Sequence, residues 1–214
     1  MKVLVVGANG QIGQKLIELL QNSSKHEVRA MVRKEEQAAA FKEKDVDAVI
    51  ADLEGGVNQL KDALYGCDAV VFTAGSGGHT GADKTLLIDL DGAVKTVEAA
   101  EQVGVKRFIM VSALQANNRE NWNNSIRPYY AAKHYADRAV EQSSLIYTII
   151  RPGGLLNDAG TGKIEAGEKL ERGTIPREDV AAVIYESLDT ARAFHRSFDL
   201  ITGEKSISEA LNAI

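Results

Sequence analysis

The first twenty residues, Met1 to Leu20, read MKVLVVGANGQIGQKLIELL and hold three patterns in succession. Val3 to Val6 is apolar at every position, which marks a strand covered on both faces, as in a parallel sheet. Glycines follow at Gly7, Gly10 and Gly13. Ile12, Leu16, Leu19 and Leu20 then recur at helical spacing and give the next segment an apolar stripe. The order is strand, tight turn, helix. A helix that begins inside a glycine turn points several unpaired backbone N–H groups, and the positive end of its dipole, at one place. Glycine there lets the chain turn sharply, lets backbone approach a pyrophosphate and lets the helix pack closely on the sheet. A dinucleotide phosphate is therefore expected against Gly7, Asn9, Gly10, Gln11, Ile12 and Gly13.

The 214 residues suit one domain, 1–214, with a small substrate-side segment at about 155–175. Hydrophobic residues make up 44% and charged residues 26%, the balance of an ordinary globular protein. A formal charge of -5 argues against a nucleic-acid surface, which needs a basic face. Cys67 is the one cysteine, so no disulfide within the chain can form, and in LYGCDAVV it reads as a small buried residue before a strand. No apolar run approaches the ~20 residues of a membrane span, and no leader precedes the glycine turn, so a cytoplasmic protein is expected. His26, His79, His134 and His195 lack metal-ligand spacing, and no metal is expected.

Apolar runs alternate with helical patterns along the rest of the chain. Strands are predicted at Lys2 to Val6, Glu27 to Val32, Ala48 to Ala51, Ala69 to Phe72, Arg107 to Val111, Tyr147 to Ile150 and Phe198 to Ile201. Helices are predicted at about 12–22, 35–43, 57–65, 83–103, 129–143 and 177–191. This alternation means an α/β fold, a doubly wound parallel sheet of the Rossmann kind, with a small C-terminal appendage. Ligands in such sheets collect outside the carboxyl ends of the strands, so residues just after each strand are the ones to read.

GANGQIG, with glycines three and three apart, resembles the turn of extended and atypical short-chain dehydrogenase/reductases and of their NmrA-like and flavin-reductase-like relatives. After the second strand stand Arg33 and Lys34, where an NAD-specific site would place an acidic residue on the ribose. Two cations suit a 2′-phosphate, which favours NADP over NAD. They equally suit a solvated start to the helix RKEEQAAA. The resemblance further implies that Asp52 and Leu53 line the adenine pocket and that Ala74, Gly75 and Ser76 run over the diphosphate and ribose. The glycine-rich GSGGHTGAD after them is expected as a mobile loop at the site.

The fifth strand ends at KRFIMVSAL and leaves Ser112 at its carboxyl end. Beyond it comes PYYAAK, in which Tyr129 and Lys133 form the Tyr-x-x-x-Lys pair of the short-chain dehydrogenases. Residues four apart share a helix face, so the Lys133 ammonium can lie near the Tyr129 phenol. A phenol titrates near ~10, and a neighbouring cation is expected to lower that value. Pro128 fits a first helical turn, which places Tyr129 at the positive end of the dipole. Tyr130 and His134 repeat the spacing, but histidine matches the pattern less well. The resemblance implies that Ser112 hydrogen-bonds the substrate oxygen, that Tyr129 gives or takes its proton, and that Lys133 tunes the tyrosine and binds the nicotinamide ribose. Asp89 stands where the extended family has asparagine, and it can position a water, join the proton relay or alter the chemistry. RPGGLL resembles the segment that passes the nicotinamide, which marks Pro152, Gly153, Gly154 and Leu155.

Residues 157–175, polar and glycine-spaced, are predicted as a small hairpin, too short for the sugar-nucleotide region of full extended dehydrogenases. PREDVAA, from Pro176, reads as a structural helix start. Trp122 in the asparagine-rich loop 115–128 is either a substrate lid or an anchor. The resemblance implies an NADP-dependent oxidoreductase acting on a small carbonyl or hydroxyl compound, as a monomer or homodimer. The alternatives are an epimerase- or dehydratase-like enzyme, a flavin-reductase-like activity, or a non-catalytic NmrA-like redox sensor, a class that typically lacks the tyrosine-lysine pair.

Overall fold

The computed structural model describes residues 1–78 and 80–214. Its strands are β1 Lys2–Val6, β2 Glu27–Val32, β3 Asp47–Ile50, β4 Ala69–Phe72, β5 Arg107–Val111, β6 Ile146–Pro152, β7 Gly154–Leu156, β8 Lys163–Gly167, β9 Thr174–Pro176, β10 Arg196–Thr202 and β11 Lys205–Ser206. The main sheet runs β11-β8-β10-β6-β5-β4-β1-β2-β3. From β3 to β10 every pairing is parallel, and β8 and β11 close that end antiparallel. Strand order reverses between β1 and β4, which opens a crevice at their carboxyl ends.

Helices cover both faces: α1 Gln11–Gln21, α2 Glu35–Lys42, α3 Val57–Leu64, the single turn α4 Ala82–Lys84, α5 Gly92–Val103, α6 Arg127–Gln142, α7 Arg177–Ser187 and α8 Ile207–Asn212. Alternate residues of β1 feed two cores. Val3 and Val5 pack with Leu16, Leu20, Phe41, Val180 and Ile184, under α1, α2 and α7. Leu4 and Val6 pack with Leu60, Leu64, Val97 and Val140, under α3, α5 and α6. The uninterrupted apolar run of β1 exists because each face has its own layer of helices. On α1 the buried stripe uses Ile17, whereas Leu19, expected inside, is 37% exposed.

Two predicted elements come out differently. The helix expected over 83–103 is broken: α4 leads into a π-helical segment, Thr85–Asp91, before α5 begins. The wider turn rotates the chain so that Thr85, Ile88 and Asp89 face inward. The hairpin expected over 157–175 does not form. β8 leaves that segment to join the main sheet beside β10, while β7 and β9 make a separate parallel pair. The alternation in KIEAG is satisfied by the open edge of β10, a partner far away in sequence. Of the glycine-rich loop expected at the site, His79 lies outside the described residues.

Candidate active site

The glycine turn is built by close approach. Gly7 has φ +84, and a Cβ there would stand 2.7 Å from Ala74 N. A Cβ on Gly13 would stand 2.5 Å from Gly7 O and 2.9 Å from the Ala8 Cα. Side chains at either place would separate α1 from the end of β1, or β1 from the end of β4. Gly10 is the N-cap of α1 and supplies no side-chain acceptor, and the first turn holds no acidic residue. The leading N–H groups of an eleven-residue helix are thus left for an external anion. Asn9, Gly10 and Gln11 are exposed on the rim, and Ile12 and Gly13 are buried beneath it. This cradle fits a dinucleotide phosphate.

Neighbouring strand ends continue the same edge. Arg33 and Lys34 follow β2, both exposed, and their main-chain N–H groups donate to Gln37 Oε1 at 3.3 Å. Lys34 Nζ lies 3.4 Å from Glu36, while the Arg33 guanidinium has no ion pair or hydrogen bond among the described residues. Asp52 is exposed after β3 with one oxygen on Glu54 N, and Leu53 is buried beside it. Ala74, Gly75 and Ser76 follow β4, whose end Thr73 ties to β1 through a hydroxyl that donates to Val6 O at 2.9 Å. Pro152 is the last residue of β6, Gly153 follows it, and Gly154 and Leu155 open β7. Gly153 also has a packing reason: a Cβ would stand 2.3 Å from Gly173 O.

Ser76 links this edge to the chemistry. Its N–H donates to Asp89 Oδ2 at 3.0 Å, and Asp89 Oδ1 faces Lys133 Nζ at 3.2 Å. Asp89 is fully buried and Lys133 is 3% exposed. Lys133 Nζ also donates to Val111 O at 3.3 Å, at the end of β5, and stands 5.7 Å from the centroid of the Tyr129 ring. The aspartate in the asparagine position is therefore in direct contact with the lysine.

Burial, more than that contact, corrects one expectation, that Tyr129 titrates below its ordinary value. Burial holds the Tyr129 phenol above its ordinary value; Lys133 pulls it down, but Asp89 pushes it up again. Burial also works against the Lys133 ammonium, yet Tyr129 and Asp89 outweigh it and keep the lysine charged. Tyr129 is thus a protonated group at neutral pH, suited to giving a proton rather than taking one.

Ser112 is buried at the end of β5, and its hydroxyl lacks a well-aligned hydrogen-bond partner among the described residues. Beside it is Asp137, one turn past Lys133 on α6, with Oδ1 equally unpartnered and Oδ2 accepting from Arg151 Nε at 2.8 Å. Asp137 and Arg151 are each 2% exposed, and Arg151 Nη2 reaches Glu141 at 3.4 Å. Asp137 escaped the sequence reading. The signal was its spacing, since Tyr129, Lys133 and Asp137 stand at four-residue intervals on one helix face. Trp122 is held in its loop: its indole N–H donates to Ala116 O at 3.0 Å and its ring stacks on Tyr130 with centroids 6.2 Å apart. No group of three or more His, Cys, Asp or Glu suited to a metal occurs among the described residues, and no helix is long and apolar enough to cross a membrane.

A profile for NAD(P)H-binding proteins matches residues 7–191, from the first glycine of the turn to the end of the α7 region. The chain belongs to this NAD(P)H-binding family. Among relatives of the NAD(P)H-binding chain, a Bacillus subtilis (strain 168) protein named "Uncharacterized sugar epimerase YhfK" is 58% identical over 214 residues and matches along the full length of both. In three dimensions the chain resembles a candidate NAD-dependent epimerase/dehydratase from Bacillus halodurans, with a TM-score of 0.93, 43% identity and complete coverage of both chains. The oxidoreductase ylbE from Lactococcus lactis superposes with a TM-score of 0.91 at 33% identity, covering 100% of this chain and 96% of that one. The Rossmann-like fold and the place of the chain among epimerase- and oxidoreductase-like NAD(P)-binding proteins agree with the reading of the sequence.

Proposed function

We propose that the protein is an NADPH-dependent reductase of the atypical short-chain dehydrogenase class, acting on a small carbonyl compound. The observation that carries this reading is the Tyr129–Lys133 face of α6, with a partly buried phenol held protonated beside a buried, charged lysine at the end of β5. Gly7, Gly10 and Gly13 with the first turn of α1 would hold the diphosphate. Asp52, Leu53 and the 74–76 segment would border the adenosine half, and residues 152–155 the nicotinamide half. The unpartnered Arg33 guanidinium, with Lys34, would take a 2′-phosphate. When bound, the cofactor supplies hydride.

The chain's own groups do the rest. Tyr129 donates its proton to the carbonyl oxygen as that oxygen gains negative charge. Ser112, whose hydroxyl lies beside the Asp137 carboxyl, hydrogen-bonds the same oxygen and fixes its position. Lys133 stabilises the phenolate left behind, and Asp89 holds Lys133 in place from the far side. Burial of the lysine and aspartate keeps water from screening the pair.

The test is titration calorimetry followed by turnover. Wild type should bind NADPH more tightly than NADH, and Arg33→Ala should weaken NADPH roughly tenfold to a hundredfold, the worth of a charged hydrogen bond, with NADH unchanged. Tyr129→Phe should keep NADPH binding and lose about a hundredfold or more in carbonyl reduction. Equal binding of both nucleotides would overturn the NADP preference. Turnover unaffected by Tyr129→Phe would overturn the proton donor.

A second reading is an epimerase, favoured by the name of the Bacillus subtilis relative that matches the full chain. It requires a sugar-like substrate to be converted with no net change in cofactor absorbance.

A further inference from the structure

Asp199 lies in the middle of β10 and is fully buried, between the core residues Phe198 and Leu200. A carboxylate there is costly unless hydrogen bonds replace its water. Arg151, its register partner on β6, makes no direct bond to it among the described residues: that guanidinium is bonded to Asp137 and reaches Glu141. The carboxylate is spent elsewhere. Oδ1 accepts from Gln115 N at 2.9 Å and Oδ2 from Leu170 N at 3.1 Å. These are the two segments that flank the proposed substrate side. One follows Ser112 out of β5, and the other leads into β9.

Further bonds tie the same two segments to each other. Gln115 Nε2 donates to Leu170 O, and Asn121 Nδ2 donates to Gln115 Oε1. Arg172 donates to Asn121 O and, at 3.4 Å, to the Tyr130 hydroxyl next to Tyr129. Gln115 itself has φ +56, a left-handed conformation that a residue with a side chain adopts only when its surroundings hold it there.

We propose that Asp199 is a positioning residue of the substrate face: by clamping residue 115 and residue 170 to one buried strand, it fixes the course of the segment that leaves Ser112 and so the orientation of substrate against Ser112 and Tyr129. The clamp acts on substrate orientation, not on the nucleotide cradle or on proton transfer. Its link to substrate rests on the reductase reading above.

The test uses the full chain as Asp199→Asn. An amide has one acceptor oxygen and turns an NH2 group toward the second N–H, so one segment loses its partner and the side-chain bridge transmits the loss to the other. Amide hydrogen exchange should rise in residues 113–118 and 168–172 together, with α6 and the β1–α1 turn unchanged. With phenanthrenequinone as carbonyl probe, KM should rise about tenfold while kcat and NADPH affinity hold within about threefold. Gln115→Gly is the companion variant. It keeps the left-handed backbone and the N–H to Asp199 but deletes the side-chain bridge, so exchange should rise at 168–172 with residue 115 still protected. Exchange that rises in one segment only for Asp199→Asn, or kcat and NADPH affinity that fall with KM, would overturn the proposal. So would coupled exchange with an unmoved KM. If Asp199→Asn shows the coupled exchange but the wild-type protein does not oxidise NADPH with any carbonyl, the reductase reading falls and the clamp between the segments stands.

Discussion

Asp89 presents one oxygen to the Ser76 amide and the other to Lys133, with both charges out of water. A buried pair of this kind adds little net stability, but removing one member leaves an uncompensated charge. Its consequence for chemistry is larger, because Asp89 opposes the pull of Lys133 on the Tyr129 phenol. Asp89→Asn keeps the shape and the acceptor for Ser76 while removing the negative charge. The Tyr129 pKa should then fall. A proton donor is active below its pKa and inactive above it, so the alkaline limb of kcat/KM for carbonyl reduction should move to lower pH in the variant. A pH profile of NADPH oxidation checks this, and a limb that stays in place would show that Tyr129 does not titrate under the influence of Asp89.

Among elements, the turn between β1 and α1 tolerates least. A methyl on Gly13 meets backbone at 2.5 and 2.9 Å, and backbone cannot swing aside as a flexible side chain does. Gly13→Ala should cost about 1–3 kcal/mol through overpacking and should weaken NADPH binding as α1 is displaced from the cradle. Gly10→Ala meets only Gly7 O at 3.1 Å and serves as the milder comparison. Thermal unfolding with and without NADPH reads both effects, and equal behaviour of the two variants would sink the close-packing argument. The turn was legible in the sequence because its three glycines stand together between an apolar run and a helical pattern. The π-helical segment was not. TLLIDLD is apolar on nearly every side, so no periodicity separates it from an α-helix, and Leu86 is in fact 55% exposed. What rotates Asp89 inward is its partner on α6, which lies beyond any local window.

Over the whole molecule, Arg151 and Asp137 join β6 to α6 beneath the site. Asp137 is held above its ordinary value by burial, with Arg151 and Ser112 opposing the rise. Arg151→Met should destabilise the fold by about 3–5 kcal/mol by leaving that carboxylate buried and unpaired. The sign of its pH dependence follows. A carboxyl whose folded pKa lies above its unfolded one favours folding when protonated, so stability is greatest below the unfolded value of 3.8 and is lost as pH rises through the folded pKa. Loss of Arg151 raises the folded pKa further and widens that window upward. Urea unfolding should therefore show the deficit of Arg151→Met shrinking in mildly acid buffer. A deficit independent of pH would mean that packing, not charge, is what Arg151 supplies.

The alternation of the parallel strands β1 to β6 with helices, the glycine turn and the Tyr129–Lys133 spacing were determined by the sequence itself, because each is a short-range pattern: a run, a turn or a helix face within a few residues. The register of β8 against β10, the direct contact of Asp89 with Lys133, the pairing of Asp137 with Arg151 and the grip of Asp199 on residues 115 and 170 were decided only by the tertiary structure. Each joins residues distant along the chain, and each involves a buried polar group or an open strand edge. Such groups must find a partner, but nothing in their own neighbourhood says which one.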